Sequence, residues 1–273
     1  MSRHKPRILV TNDDGIDAPG IRWLAGAARA TGADVTVAAP RHEASGISAA
    51  LTAVTEGGRL VFTRVTLDSV PGVPAFSIAA SPGYIAVLAG LGSFGPPPDI
   101  LLSGINRGAN AGHAVLHSGT VGAAFTAANN GARAMAVSLD VLSAAAGDSA
   151  SGGAAIAALD TIDDETRNWA TAADLARRLL PLLLDLPAGS VLNLNVPDLP
   201  ADKIRGMRQA TLAPFGQVQL ALAETGKDYV RTVIEENGAR HIPGTDLALL
   251  ADGYAAVTPI RSVTPATDIT LSL

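Results

Sequence analysis

Short apolar runs rich in branched residues alternate along the chain with stretches of helical period, a pattern that commits it to βαβ units around a mainly parallel sheet. Arg7–Thr11 (RILVT) reads as a buried strand, Gly20–Ala30 as a helix with Pro19 near its start, and Val35–Ala39 as a second strand closed by Pro40. After an irregular stretch, Arg59–Leu67 and Ala75–Ala79 read as strands and Gly83–Leu91 as a helix. Asp99–Leu102 is a further buried strand, entered through Pro96–Pro98. A helix is expected over Gly119–Asn130, a strand over Ala134–Leu139, a helix from about Trp169 to Leu186 and a strand over Val191–Val196. Ser143–Gly153 is almost wholly Ala, Gly and Ser, the composition of a flexible surface loop. Beyond Pro197, Lys203–Leu212 and Tyr229–Glu235 alternate like antiparallel ribbons, a candidate oligomerisation arm or lid.

The chain's 273 residues, 48% of them hydrophobic, suffice for one large domain or a domain with an appendage. With 16% charged residues and a net charge of −5, it lacks the basic field that holds a nucleic-acid backbone. The absence of cysteine removes disulfides, thiolate nucleophiles and sulfur-ligated zinc, so a metal would need oxygen or histidine ligands. The first apolar run stops at Val10, too short for a signal peptide, and Leu179–Leu186 is interrupted by Pro181 and Asp185. No run approaches the ~20 apolar residues of a membrane span. These features lead to the expectation of a soluble cytoplasmic protein.

Three segments carry potential chemistry. Asn12-Asp13-Asp14-Gly15 follows the first strand at its carboxyl end, where open α/β sheets bind ligands. Its two carboxylates suit a hard cation such as Mg²⁺ or Mn²⁺, and the same four residues suit an Asx-turn that ends the strand. Ser103-Gly104-Ile105-Asn106-Arg107-Gly108-Ala109-Asn110 follows a second buried strand, with Asn106 and Asn110 as neutral oxygen donors or as parts of a turn. Ser118-Gly119-Thr120-Val121 opens a helix, where free N–H groups and hydroxyls suit a phosphate, or Ser118 simply caps. Gly90–Gly95 spells GxGxxG but follows a helix and runs into three prolines, the wrong context for a dinucleotide. His113 and His117 have zinc-helix spacing without the glutamate or a third ligand. No GxSxG elbow and no P-loop occurs.

Together the motifs resemble the SurE (survival protein E) family of metal-dependent nucleotidases and phosphatases. The matching elements are Asn12–Gly15 with Ala18-Pro19-Gly20, Pro40 followed by Ser45-Gly46, Ser103–Asn106 with Gly108 and Asn110, and Ser118–Val121. Further along come Ala136–Leu139, Asn193-Asn195-Val196-Pro197, Gly244-Thr245-Asp246, Gly253-Tyr254 and Thr258-Pro259, in family order over nearly the whole chain. The resemblance implies a Rossmann-like three-layer α/β core over residues 1–197. It also implies a β-rich extension over 198–273 that serves dimer or tetramer assembly, its final segment returning to the core. One divalent ion, Mg²⁺ or Mn²⁺, is expected on Asp13, Asp14, Ser45 and Asn106, with Asp13 as general base. The phosphate of a nucleoside 5′- or 3′-monophosphate is expected at Asn106, Asn110, Ser118, Gly119 and Thr120. The alternatives are a phosphatase for another phosphorylated metabolite and a non-catalytic nucleotide-binding homologue. The sequence departs from the family pattern at Ala79–Tyr84, around His113 and Ala114, and at His117, where tyrosine commonly stands; these positions bear on substrate preference.

Overall fold

The alternation of segments becomes a nine-stranded sheet among the residues that the computed structural model describes, 5–44, 46–141, 163–215, 218–226, 228–236, 242–265 and 270. The elements in chain order are β1 (Arg7–Thr11), α1 (Pro19–Ala30), β2 (Asp34–Pro40), β3 (Phe62–Val65), β4 (Ala75–Ile78), α2 (Pro82–Gly90) and β5 (Ile100–Arg107). They continue with α3 (Gly119–Asn129), β6 (Arg133–Asp140), α4 (Trp169–Asp185), β7 (Val191–Pro197) and β8 (Met207–Gln209). Last come β9 (Val218–Thr225), β10 (Val230–Glu236), α5 (Asp246–Ala251) and β11 (Ala255–Ile260). The sheet order is β3-β4-β2-β1-β5-β6-β7-β11-β8, parallel from β4 to β7. β3 pairs antiparallel with β4, and β11 antiparallel with β7.

Both faces of the parallel strands are covered, which is why RILVT is apolar without alternation. Ile8 and Val10 join Ile21, Leu24, Trp169 and Leu183 in a cluster under α1 and α4. Leu9 faces the other way, with Ile85, Leu101, Val121 and Ala124 under α2 and α3. This is the Rossmann-like three-layer arrangement the sequence anticipates. The chain moves from β1 outward to β2 in one direction and to β5 in the other, so β1 and β5 border a topological switch point.

Two expectations need correction. The strand read as Asp99–Leu102 runs on to Arg107, so the Ser103–Arg107 stretch is strand and not loop. Its Gly and Asn residues resemble a turn in composition, yet they accommodate a bulge, described below. The Lys203–Leu212 segment forms no antiparallel ribbon. Within it, β8 joins the main sheet parallel to β11, because alternation signals a half-buried strand without specifying its partner's direction. The second ribbon does form: β10 pairs antiparallel with β9 in a two-stranded sheet of its own, with an irregularity between Arg231 and Thr232. The Ser143–Gly153 loop lies outside the described residues.

Candidate active site

The turn after β1 places two carboxylates at the switch point. Asn12 Nδ2 donates to the Gly15 carbonyl at 2.8 Å, closing a turn that Gly15 completes at φ +100°. The chain has left the strand, so Asp13 and Asp14 need not point to opposite faces, and both line a cleft of about 710 Å³. Asn12 thus makes the turn while its two neighbours supply the charge. Asp13 is 4% exposed. Its Oδ1 accepts from Thr120 Oγ at 2.5 Å, and its backbone carbonyl accepts from the Ala44 amide at 2.7 Å. Asp14 Oδ2 is buried and has no hydrogen-bond partner among the described residues.

β5 delivers Asn106 beside this pair through a bulge. Ser103 pairs with Ala136 and Asn106 with Ser138, so β5 spends one residue more than β6 over the same step. The extra residue reverses the parity of the strand, which puts Asn106 on the Ser103 face where simple alternation would turn it away. Gly104, at φ +135°, makes the bulge possible, since a Cβ there would lie 2.2 Å from the Val137 carbonyl oxygen. Asn106 Nδ2 donates to the Gly108 carbonyl at 2.8 Å, leaving its carbonyl oxygen as the atom to face the cleft. Gly20 lets the first turn of α1 close over the same point, because a Cβ would sit 2.0 Å from the Ile105 carbonyl oxygen.

The start of α3 forms the third wall. Ser118 Oγ caps the helix by accepting from the Val121 amide at 3.1 Å. Gly119 lies against the Asp13 side chain, where a Cβ would meet Asp13 Oδ2 at 2.7 Å. Thr120 is fully buried, and its hydroxyl is directed at Asp13 and not at the cleft. Of these three residues, Ser118 lines the cleft. Ser45 lies outside the described residues; on either side of it, Ala44 bonds to Asp13 and Gly46 lines the cleft. Asn110 lines the cleft as well, in the loop after β5.

Electrostatically the site is short of positive charge. Burial pushes the Asp14 carboxyl up to about 7, with the neighbouring charge of Asp13 adding to it and the Arg107 backbone amide opposing it. Burial also raises Asp13, while the hydrogen bond from Thr120 pulls it back. Asp17, Glu43 and Asp164 complete an acidic rim. The guanidinium of Arg107 reaches Asp164 at 3.5 Å, so its charge is shared. Asp164 is gripped further by Arg167 Nε at 2.6 Å, and its carbonyl accepts from Trp169 Nε1 at 2.6 Å. Among the described residues, no group of three or more His, Asp or Glu side chains is arranged to hold a metal by itself. An ion here would therefore rely on two carboxylates together with neutral oxygens.

Sequence reasoning missed Asp17, Glu43, Asp164 and Trp169, which reach the cleft from separate segments. Asp17 lies close to the acidic turn; the others carry no spacing signal that links them to it. His117 lines the cleft, whereas His113 is exposed and its backbone amide donates to the Ala213 carbonyl at 3.0 Å. Gly90–Gly95 lies at the end of α2, and Phe94 and Gly95 line a separate cavity with Arg7 and Asp34, at the amino ends of the strands.

The chain is similar to known proteins over most of its length. The family described as Survival protein SurE matches residues 8–218. A 5′/3′-nucleotidase SurE of Edwardsiella ictaluri is 36% identical over 262 residues, covering 93% of this chain and 89% of its own. One from Shigella dysenteriae serotype 1 is 35% identical over 260 residues, covering 93% and 90%. Among solved structures, the SurE protein of Aquifex aeolicus superposes with a TM-score of 0.69 at 27% identity, covering 94% of this chain and 93% of that one.

Proposed function

The chain belongs to the SurE family, and from that premise we propose that it is a divalent-metal-dependent phosphomonoesterase that hydrolyses nucleoside 5′- or 3′-monophosphates to nucleoside and phosphate. The observation that carries this reading is the pair Asp13 and Asp14, which line the cleft together at the switch point, Asp13 buried and Asp14 Oδ2 buried without a partner among the described residues. The names of the relatives support the substrate class.

The donor set fits a hard cation. Two adjacent carboxylates repel each other, an unpartnered buried oxygen is costly, and the Asn106 carbonyl adds a neutral oxygen; Ser45 is the fourth expected ligand. Mg²⁺ and Mn²⁺ both suit such ligands. When bound, the cation supplies Lewis-acid polarisation of the phosphoryl group and offsets the acidic rim. Asp13 serves as general base at Oδ2, since Thr120 occupies Oδ1 and orients the carboxylate. Asn106, Asn110 and Ser118, which line the cleft, bind the phosphate together with the Gly119 amide, free of intrahelical partners in the first turn of α3, and Thr120 acts through Asp13.

The test is release of inorganic phosphate from a panel of nucleoside 5′- and 3′-monophosphates and sugar phosphates, with chelator and after restoring Mg²⁺ or Mn²⁺. Turnover of nucleotides that stops with chelator and returns with metal is the expected result. Turnover indifferent to chelation would overturn the mechanism, and efficient turnover of sugar phosphates alone would overturn the substrate class.

We place the protein in the cytoplasm as a homodimer or homotetramer. Among the described residues no helix is long and apolar enough to cross a membrane. The β9–β10 ribbon leaves the sheet, and Tyr229 and Val230 are exposed on it, which supports self-association. Sedimentation of the full chain checks this: a monomer at micromolar concentration would overturn it.

A further inference from the structure

Ser138, Asn193 and Asn195 are fully buried on the central strands β6 and β7, where apolar residues would pack without a polar penalty. All three share the sheet face that carries α3: Ala136 is opposite Asn193, and Ser138 is opposite Asn195. Across the other edge of β6, Ser138 is opposite Asn106, so Asn106, Ser138 and Asn195 form one row over three strands. The hydrogen bonds these buried groups make converge on one residue of the cleft.

That residue is Asn110. Its backbone amide donates to Asn195 Oδ1 at 2.8 Å, and its backbone carbonyl accepts from Asn195 Nδ2 at 3.0 Å and Asn193 Nδ2 at 2.7 Å. The Asn195 carboxamide therefore grips both polar atoms of the Asn110 peptide, as a neighbouring strand would. The Asn110 side chain is held separately, by a 2.9 Å hydrogen bond between Nδ2 and Ser138 Oγ. Asn193 Oδ1 stays buried without a partner among the described residues, an expense that packing alone does not explain. Four hydrogen bonds thus set both the backbone and the carboxamide of a loop residue at the cleft wall.

We propose that Asn195, Asn193 and Ser138 are positioning residues that pre-orient Asn110 for the substrate, an inference that rests on reading the cleft as a phosphomonoesterase site. Asn110 touches the substrate; the three strand residues act through it. The cost of ordering the loop is met in the free enzyme and is not drawn from substrate binding.

The test is a double-mutant cycle in kcat/KM with a nucleoside monophosphate and saturating Mg²⁺. Asn195→Ala and Ser138→Ala each lower kcat/KM by roughly ten-fold, mainly through KM. In an Asn110→Ala background, Ser138→Ala has almost no further effect because the side chain its hydroxyl holds is gone, and Asn195→Ala loses most of its effect because the backbone it clamps no longer presents a carboxamide. Effects that multiply with Asn110→Ala would overturn the proposal, since a general structural role does not depend on that side chain. Ser138→Ala removes one hydroxyl without touching the backbone clamp, so it keeps the test open if Asn195→Ala does not fold. Wild-type enzyme without metal-dependent turnover would instead overturn the functional reading, a result distinct from a multiplicative cycle in an active enzyme.

Discussion

At the amino ends of β1 and β5, Asp99 accepts hydrogen bonds from the Arg7 backbone amide at 2.8 Å, from Nε at 3.2 Å and from Nη2 at 2.9 Å. At the carboxyl ends of the same two strands, Asp13 and Asp14 lie side by side and Asp14 Oδ2 has no partner among the described residues. Nearby Thr11 Oγ, Asn12 Oδ1 and Ser103 Oγ are also buried without partners among the described residues. The pairing of the strands is alike at both ends; the treatment of charge is opposite. One end satisfies its carboxylate with a guanidinium, and at the other these oxygens have no partner among the described residues. Unpartnered buried oxygens of this kind lower the stability of the chain by itself.

The sharpest way to break this comparison is to neutralise a carboxylate at each end. Asp13→Asn or Asp14→Asn is expected to lower metal-dependent phosphate release by about 10³-fold. Asp99→Asn should leave kcat/KM within about two-fold, because it sits at the far end of the strands and supports structure only. Comparable losses at both ends would remove the distinction.

Next in size is the pH dependence of stability without metal. The Asp14 carboxyl titrates at about 7 in the folded chain, above the ~3.9 of an unfolded aspartate, so the folded state holds its proton more tightly. That contribution is fully present below pH ~4 and is lost as pH rises toward 7, at about 1.4 kcal/mol per pH unit as an upper bound. Thermal unfolding in chelator should therefore show Tm falling between pH 5 and 7. Mg²⁺ or Asp14→Asn should flatten the slope, and Asp99→Asn should leave it in place.

Helix α1 spans the same two ends and sharpens the contrast in packing. Gly20→Ala would drive a Cβ into the Ile105 carbonyl at the site end, costing about 1–3 kcal/mol in chemical denaturation. Gly26→Ala meets nothing closer than Val70 at 3.6 Å and is expected to stabilise by about 0.5–1 kcal/mol through helix propensity. Thr120→Val tests the site end through a single hydrogen bond. Losing the hydrogen bond to Asp13 raises that carboxyl further, so the acidic limb of the kcat/KM profile should move to higher pH and neutral activity fall by roughly ten-fold. An unmoved limb would separate Thr120 from the chemistry.

Much of the fold was legible because strand and helix leave different periods in the apolar pattern. Arg7–Thr11, Pro19–Ala30 and Val191–Pro197 fall within a residue of where the sequence puts them. β5 was read too short because Gly and Asn signal turns, and a bulge uses the same residues inside a strand. In the site, Asp13, Asp14, Asn106 and Asn110 were visible from their place after predicted strands. Ser138, Asn193 and Asn195 were visible as motifs but without a role, since what they bond to is a loop more than 25 residues away in sequence. Glu43 and Asp164 had no local signature of any kind.

The sequence by itself determined the layered α/β architecture, the strand end at which acidic residues gather, and the exclusion of thiolate ligands, because periodicity, strand-end position and composition are local properties. Only the tertiary structure decided how each polar group is spent: Thr120 on Asp13, Ser118 on its own helix, the buried asparagines on Asn110, and Asp14 Oδ2 on no group of the described chain. Those outcomes depend on distances between segments remote in sequence, and a buried hydrogen bond is defined by its partner as much as by its donor.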